Sequence, residues 1–210
     1  SAGPIAGITQ YGGTGKCLVC SISPMTDIPI DSNVGGYFGP FLKFSGFDVI
    51  ELTGKAEEDV IIVIDGNKGT VSIEKAPLEH KDAHVLGEEL TTMYAEDDND
   101  RKNVAVVCSG SAADHCNLSM LNFTFYDPKR NVVRLKQAGR GGIGRVFADK
   151  HIKALVCHFK GVKANLNHVY DISILNRDGL KFHREVATQD DKQNSMRKSG
   201  TAYSLRIMSD

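Results

Sequence analysis

Two glycine-dense stretches constrain this chain more than anything else in it. Asn33-Val34-Gly35-Gly36-Tyr37-Phe38-Gly39-Pro40-Phe41-Leu42-Lys43 and, far downstream, Ala138-Gly139-Arg140-Gly141-Gly142-Ile143-Gly144-Arg145 are built alike, each a glycine turn running into helical apolar spacing. Glycine reaches left-handed backbone without strain, so each stretch predicts a tight connection into a helix. Such a connection presents unpaired N–H groups and the positive end of a helix dipole, a combination suited to phosphate oxygens. A single turn of this kind reads as close helix-to-sheet packing. The pair predicts a ligand with two phosphates, or two copies of a one-phosphate ligand.

Any such binding has to be local. The 25 Lys and Arg residues nearly balance 26 Asp and Glu, leaving a net charge of -1 and no global field for nucleic acid or an acidic membrane. At 210 residues the chain is one large domain, or a domain plus a tail, and needs no staples to hold a core. Its longest apolar runs, such as Val60-Ile61-Ile62-Val63-Ile64, are strand-length and far short of the ~20 residues of a membrane span. With no charged-then-apolar leader either, the expectation is a soluble, cytoplasmic protein. The opening Ser1-Ala2-Gly3-Pro4-Ile5-Ala6-Gly7 lacks a methionine and reads as a loop leaving a strand, so an N-terminal part is expected to be missing.

Five cysteines, Cys17, Cys20, Cys108, Cys116 and Cys157, are an odd count, which favours free thiols in a reducing compartment. Cys17 and Cys20 have the spacing of a metal or redox pair, but on a strand residues three apart face opposite ways. They are expected to be structural. His80, His84 and the His115-Cys116 pair lack further ligands at metal spacing, and His151 and His158 flank a strand. Tyr11-Gly12-Gly13-Thr14-Gly15-Lys16 fails as a P-loop: its first glycine falls on Gln10, and Cys17 stands where Ser or Thr should follow the lysine. Lys16 remains a point charge at the start of a strand over 17–22, able to meet a phosphate.

Ser23-Pro24-Met25-Thr26-Asp27 predicts a turn, and Gly46 ends the helix that opens near Tyr37. Strands follow over 48–53, 59–65 and 69–74, the last two joined by the hairpin signal Asp65-Gly66-Asn67-Lys68-Gly69. An amphipathic helix spans about 78 to 95. Further strands are expected over 103–108, 118–126, 131–135 and 152–159, with a helix from the second glycine turn to about 150. Beyond Gly161 the pattern weakens, and 189–200 is expected to be helical or poorly ordered.

Taken in order, Ala2-Gly3-Pro4, the first glycine stretch with Leu42-Lys43-Phe44-Ser45-Gly46-Phe47-Asp48, Gly54-Lys55-Ala56, and the second stretch with Lys153-Ala154 make a specific pattern. It resembles the N-terminal domain of the tungsten-containing aldehyde ferredoxin oxidoreductases, from the start of the chain to about Gly161. The resemblance implies an α+β domain of two stacked β-sheets flanked by helices, a four-layer α/β/β/α sandwich over 1–161, with 162–210 as a C-terminal extension containing a strand and a helical or poorly ordered tail. It implies a tungsten, or molybdenum, bis-pyranopterin whose two phosphates are bridged by magnesium. By position, Lys16, Asn33, Val34, Gly35 and Gly36 serve one side of that cofactor, and Gln137, Ala138, Gly139, Arg140, Gly141 and Gly142 the other. The backbone carbonyls of Asn33 and Ala138 are the implied magnesium ligands.

This chain departs from the family pattern at Lys16, at Gln137, at Gly110-Ser111-Ala112-Ala113-Asp114-His115, and after Gly144, where it reads Arg145-Val146-Phe147-Ala148-Asp149-Lys150. The iron–sulfur cysteines and catalytic groups of the family belong to later domains, so these residues supply no catalytic group. The implied whole is an anaerobic enzyme that oxidises an aldehyde to a carboxylate and passes electrons through a 4Fe-4S cluster to ferredoxin. In it this chain is an inert cofactor-binding domain or subunit that works with the remaining domains or a companion chain. The alternative is a non-enzymatic, free-standing descendant that binds a phosphorylated pterin, a nucleotide or a protein partner.

Overall fold

In the computed structural model, which describes residues 1–77, 79, 81–161, 168–189 and 195–208, three strands are apolar at almost every position. These are β3 (Val60–Asp65), β5 (Val104–Cys108) and β8 (Ile152–His158); β1 (Cys17–Ile22) and β2 (Pro29–Val34) precede them in the chain. Strand side chains alternate between faces, so a strand without a polar side needs cover on both. Accordingly the three lie inside a six-stranded sheet, joined by β4 (Thr70–Lys75), β6 (Leu121–Asp127) and β7 (Val132–Ala138) in the order β4-β3-β8-β5-β6-β7. Only the β3–β8 pairing is parallel.

On one face Ile61, Val63, Val104, Val106, Ala154 and Val156 pack on Leu86 and Leu90 of α2, an amphipathic helix spanning Ala83–Tyr94. The Asp82 carboxylate starts it, accepting from the His84 N–H at 2.8 Å, and this backbone bond is the main reason the carboxyl titrates below its usual range. Gly87 lets the helix settle close, because a Cβ there would lie 2.9 Å from Thr124 Cγ2. Positions 78 and 80, where the helix was expected to begin and where His80 sits, lie outside the described residues.

The opposite face, built from Ile62, Ile64, Ala105, Val107, Leu155 and Cys157, carries a second layer. This layer contains the two-stranded antiparallel sheet of β1 and β2, the short helix α1 (Phe38–Phe44) and α3 (Ile143–Asp149). The α+β reading with two stacked sheets and flanking helices therefore holds. A half-open apolar groove of about 440 Å³ remains between β1, α1, α3 and the segment 49–52.

Two local expectations change. Residues 48–53 form no strand; Ile50 and Leu52 are anchored on the second core by their side chains, without a ladder. β2 was not anticipated, because it opens on Pro29 and is polar at three of its positions, yet Ile30, Ser32 and Val34 alternate inward as a half-buried strand must. The cysteines behave as the strand geometry requires: Cys17 is buried, Cys20 is exposed, and all five are free.

A second compact unit comprises Thr9–Gly12 and His168–Asp210. Its main element is α4 (Ile172–Thr188), capped by Asp171 through Ser173 N–H at 2.8 Å and packed at Gly179 against Gln10. Gln10 also donates to Asn176 Oδ1 at 2.8 Å, and the Tyr11 and Phe182 rings meet at 6.0 Å. The short helices α5 (Ser195–Ser199) and α6 (Tyr203–Met208) follow. No strand occurs among the described residues beyond 167.

Burial pushes the thiols of Cys108 and Cys157 up to about 12 each. An unfolded thiol titrates near 8.5, so the folded state disfavours the thiolate; the stabilisation is complete below that pH and lost as pH rises toward 12. Urea unfolding from pH 7 to 11 should show falling stability above about pH 8.5. Replacing both residues, Cys108→Ala with Cys157→Ala, should flatten that alkaline limb. In the neutral range, Leu90→Ala should cost about 2–5 kcal/mol by the same measurement, because Leu90 is fully buried.

Candidate functional site

The two glycine turns lie toward opposite ends of β2, which runs beside β7 and the start of the second turn. Arg140 N–H donates to Ser32 Oγ at 3.3 Å, a Cβ on Gly141 would lie 2.4 Å from Ile30 Cγ2, and one on Gly35 would lie 3.9 Å from Lys136 Cγ. Positions 30, 32 and 35 thus face 141, 140 and 136 in descending order, so β2 passes over the end of β7 in the opposite sense. Asn33 falls opposite Ala138 and Gly139. Sequence reasoning had placed these residues on two sides of one ligand, and the chain brings them to one seam.

The glycines sort into two kinds. Gly36 has φ +107° and a Cβ on it would lie 3.4 Å from Thr124 O, Gly141 and Gly142 have φ +70° and +67°, and a Cβ on Gly142 would lie 1.9 Å from Asn117 O. Gly144 is pressed on Met120, and its N–H donates to Ser119 O at 3.0 Å. The fold itself demands glycine at all four. Gly139 has no such need: its φ is not in the left-handed region, and a Cβ there would meet nothing within 4 Å. Gly35 is nearly as open. Both flank the point where Asn33 faces Ala138.

Backbone directions follow from the hydrogen bonds. Leu18 exchanges bonds with Ser1, so its N–H and C=O point away from β2; its partner Asn33 therefore turns its own backbone groups away from β1. Val133 N–H donates to Glu88 Oε2 at 3.0 Å, off the β6 side, which by alternation turns the backbone of Gln137 to the free edge of β7 and that of Ala138 toward β6. Val34 is buried at 1% exposure and offers only its main chain.

The side chains supply positive charge. Lys16 shares a cleft of about 320 Å³ with Asn33, and the neighbouring Gly15 lies beside Gly36, a Cβ there falling 3.2 Å from Gly36 O. Lys136, which sequence reasoning passed over, lies across Gly35 with its Nζ 5.6 Å from the Phe125 ring centroid. Lys16, Lys136 and Arg140 form no ion pair among the described residues, whereas Lys43, Lys55, Lys75, Lys81 and Lys153 do. Arg145 is spoken for: it donates to the carbonyls of Ala113 at 3.2 Å and Asp114 at 2.6 Å.

One expectation needs correcting: helix dipoles contribute less than the glycine turns suggested, because α1 and α3 are only 7 residues each and Gly144 N–H is already engaged. Among the described residues, no cluster of three or more His, Cys, Asp or Glu could hold a metal. His158 instead lies 2.9 Å from Asp100, and His151 is 3.7 Å from Asp59.

The family profile described as aldehyde ferredoxin oxidoreductase, N-terminal domain, matches residues 1–159. The tungsten-containing aldehyde ferredoxin oxidoreductase of Pyrococcus horikoshii is 35% identical over 156 residues, covering 74% of this chain and 23% of that protein. The Pyrococcus furiosus protein of the same name is 33% identical over 160 residues, again 74% of this chain and 23% of its own length. In each case the chain spans less than a quarter of its relative. Among solved structures, the active site complex BamBC of benzoyl coenzyme A reductase with 1,5-dienoyl-CoA is similar, at TM-score 0.60 and 26% identity, over 75% of this chain and 22% of that one.

The division of the glycines is directly measurable. Gly142→Ala should lower unfolding stability by more than about 2 kcal/mol, while Gly139→Ala should change it by less than about 0.5 kcal/mol, both by chemical denaturation.

Proposed function

Because the chain belongs to the aldehyde ferredoxin oxidoreductase family, as its N-terminal domain, we propose that the β2–β7 seam is its contribution to holding a tungsten bis-pyranopterin. When bound, that group supplies the two-electron redox chemistry, with molybdenum as the other metal compatible with the donors.

The observation that carries this reading is the openness at Gly139 beside a facing Asn33. A glycine that neither its φ nor its packing requires fits a backbone that a ligand approaches closely. The donor set suits a doubly phosphorylated, magnesium-bridged group. Magnesium prefers oxygen ligands and phosphates; the Asn33 carbonyl, turned away from β1, and the Gln137 carbonyl, turned to the free edge of β7, would be open to it, whereas the Ala138 carbonyl implied by the resemblance turns toward β6.

Lys16 and the main chain of Val34, Gly35 and Gly36 would hold one phosphate; Gly139, Arg140 and the turn through Gly141 and Gly142 would hold the other. Arg140 has the planar fork for bidentate contact with a phosphate, and Lys16 contributes a point charge.

The relatives are named for different reactions, aldehyde oxidation and benzoyl coenzyme A reduction, which suits a domain that holds a cofactor rather than one that selects a substrate. Oxidation of an aldehyde, a 4Fe-4S cluster and electron transfer to ferredoxin are accordingly assigned to the complete enzyme, whose remaining domains or companion subunit supply the other wall.

Charge-assisted hydrogen bonds contribute about 1.5–3 kcal/mol each, against roughly 4–15 kcal/mol for immobilising a ligand. Four to six such bonds leave little surplus on an open seam, so the 210-residue chain alone should purify with well under one tungsten per chain. In the complete oxidoreductase, Arg140→Ala should lower bound tungsten and pterin at least tenfold while leaving the far-ultraviolet circular dichroism unchanged. Full metal and pterin content in that variant would overturn the assignment.

A further inference from the structure

Beyond the first glycine turn the chain keeps stepping along β7 toward the β6–β7 hairpin. After the contacts at positions 30, 32 and 35 comes Tyr37, whose ring centroid lies 5.9 Å from that of Phe125 in an edge-to-face corner. Phe125 stands opposite Arg134 in the ladder and Phe123 opposite Lys136, so these four share one face of the hairpin. Phe41 holds Tyr37 from the helix side, ring centroids 5.7 Å apart, yet Tyr37 stays 40% exposed and Phe125 is half-buried.

Two cations flank this corner. Lys136 Nζ is 5.6 Å and Arg134 Cζ 5.8 Å from the Phe125 ring centroid, within the range at which a ring attracts a cation. Lys136 forms no ion pair among the described residues, and the carboxylate that Arg134 meets at 3.5 Å, Asp127, is held more closely by Arg130 at 2.7 Å. Glu88 is engaged on the α2 side, by Arg101 and by Val133 N–H. Over 127–136 the chain carries four cations, Lys129, Arg130, Arg134 and Lys136, against the single carboxylate of Asp127. Positive charge therefore stays unmatched beside an accessible ring.

We propose that Tyr37, Phe125, Arg134 and Lys136 form a subsite for a nucleoside 5′-phosphate, with its base against the Tyr37 ring and its phosphate on Arg134 and Lys136. A simple anion would use the cations and leave the ring idle; an apolar group would do the reverse. A nucleotide joins a planar π face to a phosphate and uses both. Arg134 offers a planar fork to the phosphate oxygens and Lys136 a point charge. Stacking tolerates every base, so the subsite selects a nucleotide and not one base. Lys136 also lies across Gly35, which joins the subsite to the first turn. A nucleotide linked to the cofactor through its phosphate and a free nucleotide present the same chemistry here. The inference does not rest on the cofactor assignment, because nucleotide binding is read on this chain without metal or pterin.

Equilibrium dialysis of the 210-residue chain against labelled AMP and GMP, with ribose 5-phosphate as the ligand lacking a base, tests the proposal. Both nucleotides should bind at least tenfold more tightly than ribose 5-phosphate. Tyr37→Ser keeps a residue suited to the N-cap of α1 and should remove that advantage with the far-ultraviolet circular dichroism unchanged. Phe125→Leu gives a second reading of the same loss, and Lys136→Met should weaken all three ligands. Acid hydrolysis of the complete, cofactor-loaded oxidoreductase separates the two sources: nucleoside monophosphate released with the pterin assigns the subsite to a nucleotide carried by the cofactor, and its absence to a free nucleotide. Equal binding of nucleotides and ribose 5-phosphate, an advantage that survives both ring substitutions, or no nucleotide binding at millimolar concentration would overturn the proposal.

Discussion

The structure depends on strands that have no polar face. β5 and β8 lie side by side in the sheet, and every residue of β5 is buried, so neither surface can be left to water. One surface takes α2. The other must be covered by something irregular enough to leave a site, and the small β1–β2 sheet with α1 and α3 does this. Pairing between β5 and β6 is brief, with Val107 opposite Phe123 and Cys108 opposite Asn122. The buried Thr124 hydroxyl then accepts from Val106 N–H at 2.8 Å, meeting a donor that the ladder leaves free. An orphaned donor at that depth would cost about 1–3 kcal/mol. The residue that repairs the sheet is also the one whose carbonyl backs the first glycine turn, so the frame of the site and the integrity of the sheet share an atom neighbourhood.

Much of this frame was legible from residue order, because its signals are local. The β-branched runs, the Asp65-to-Thr70 hairpin and the two glycine turns each declare themselves within a few residues. β2 did not. Its inward residues are Ile30, Ser32 and Val34, and half of its burial comes from a serine whose hydroxyl accepts from Arg140, more than a hundred residues away. Residues 48–53 failed in the other direction, since β-branched composition describes a fit to a pleated surface and no strand edge is offered to them. α4 was not singled out, and much of its apolar stripe, including Leu180, Phe182 and Val186, stays exposed.

Within the two glycine stretches, the sequence does not separate which glycine does what. Seven glycines across the two stretches read alike on paper. In space Gly39, Gly142 and Gly144 are packing glycines, hemmed by Cys17, Asn117 and Met120, while Gly139 stands open. No local pattern separates these, because the atoms that crowd the first three come from distant segments. The same is true of Arg140 and Arg145, five residues apart in similar surroundings. Arg145 is consumed in holding the turn around Ala113 and Asp114, and Arg140 keeps its guanidinium unpaired among the described residues.

These distinctions change the origin of the positive potential. Helix dipoles act within a turn of the helix end and are weak in elements of two turns. The cations Lys16, Lys136 and Arg140 act differently: they form no ion pair among the described residues, so their charge is not matched by a carboxylate along this seam. Screening over about 8 Å at physiological ionic strength confines that field to the seam. On the proposed reading, attraction of a phosphorylated group would belong to side chains standing beside the glycine turns, and the turns would shape the surface so that the backbone could take part.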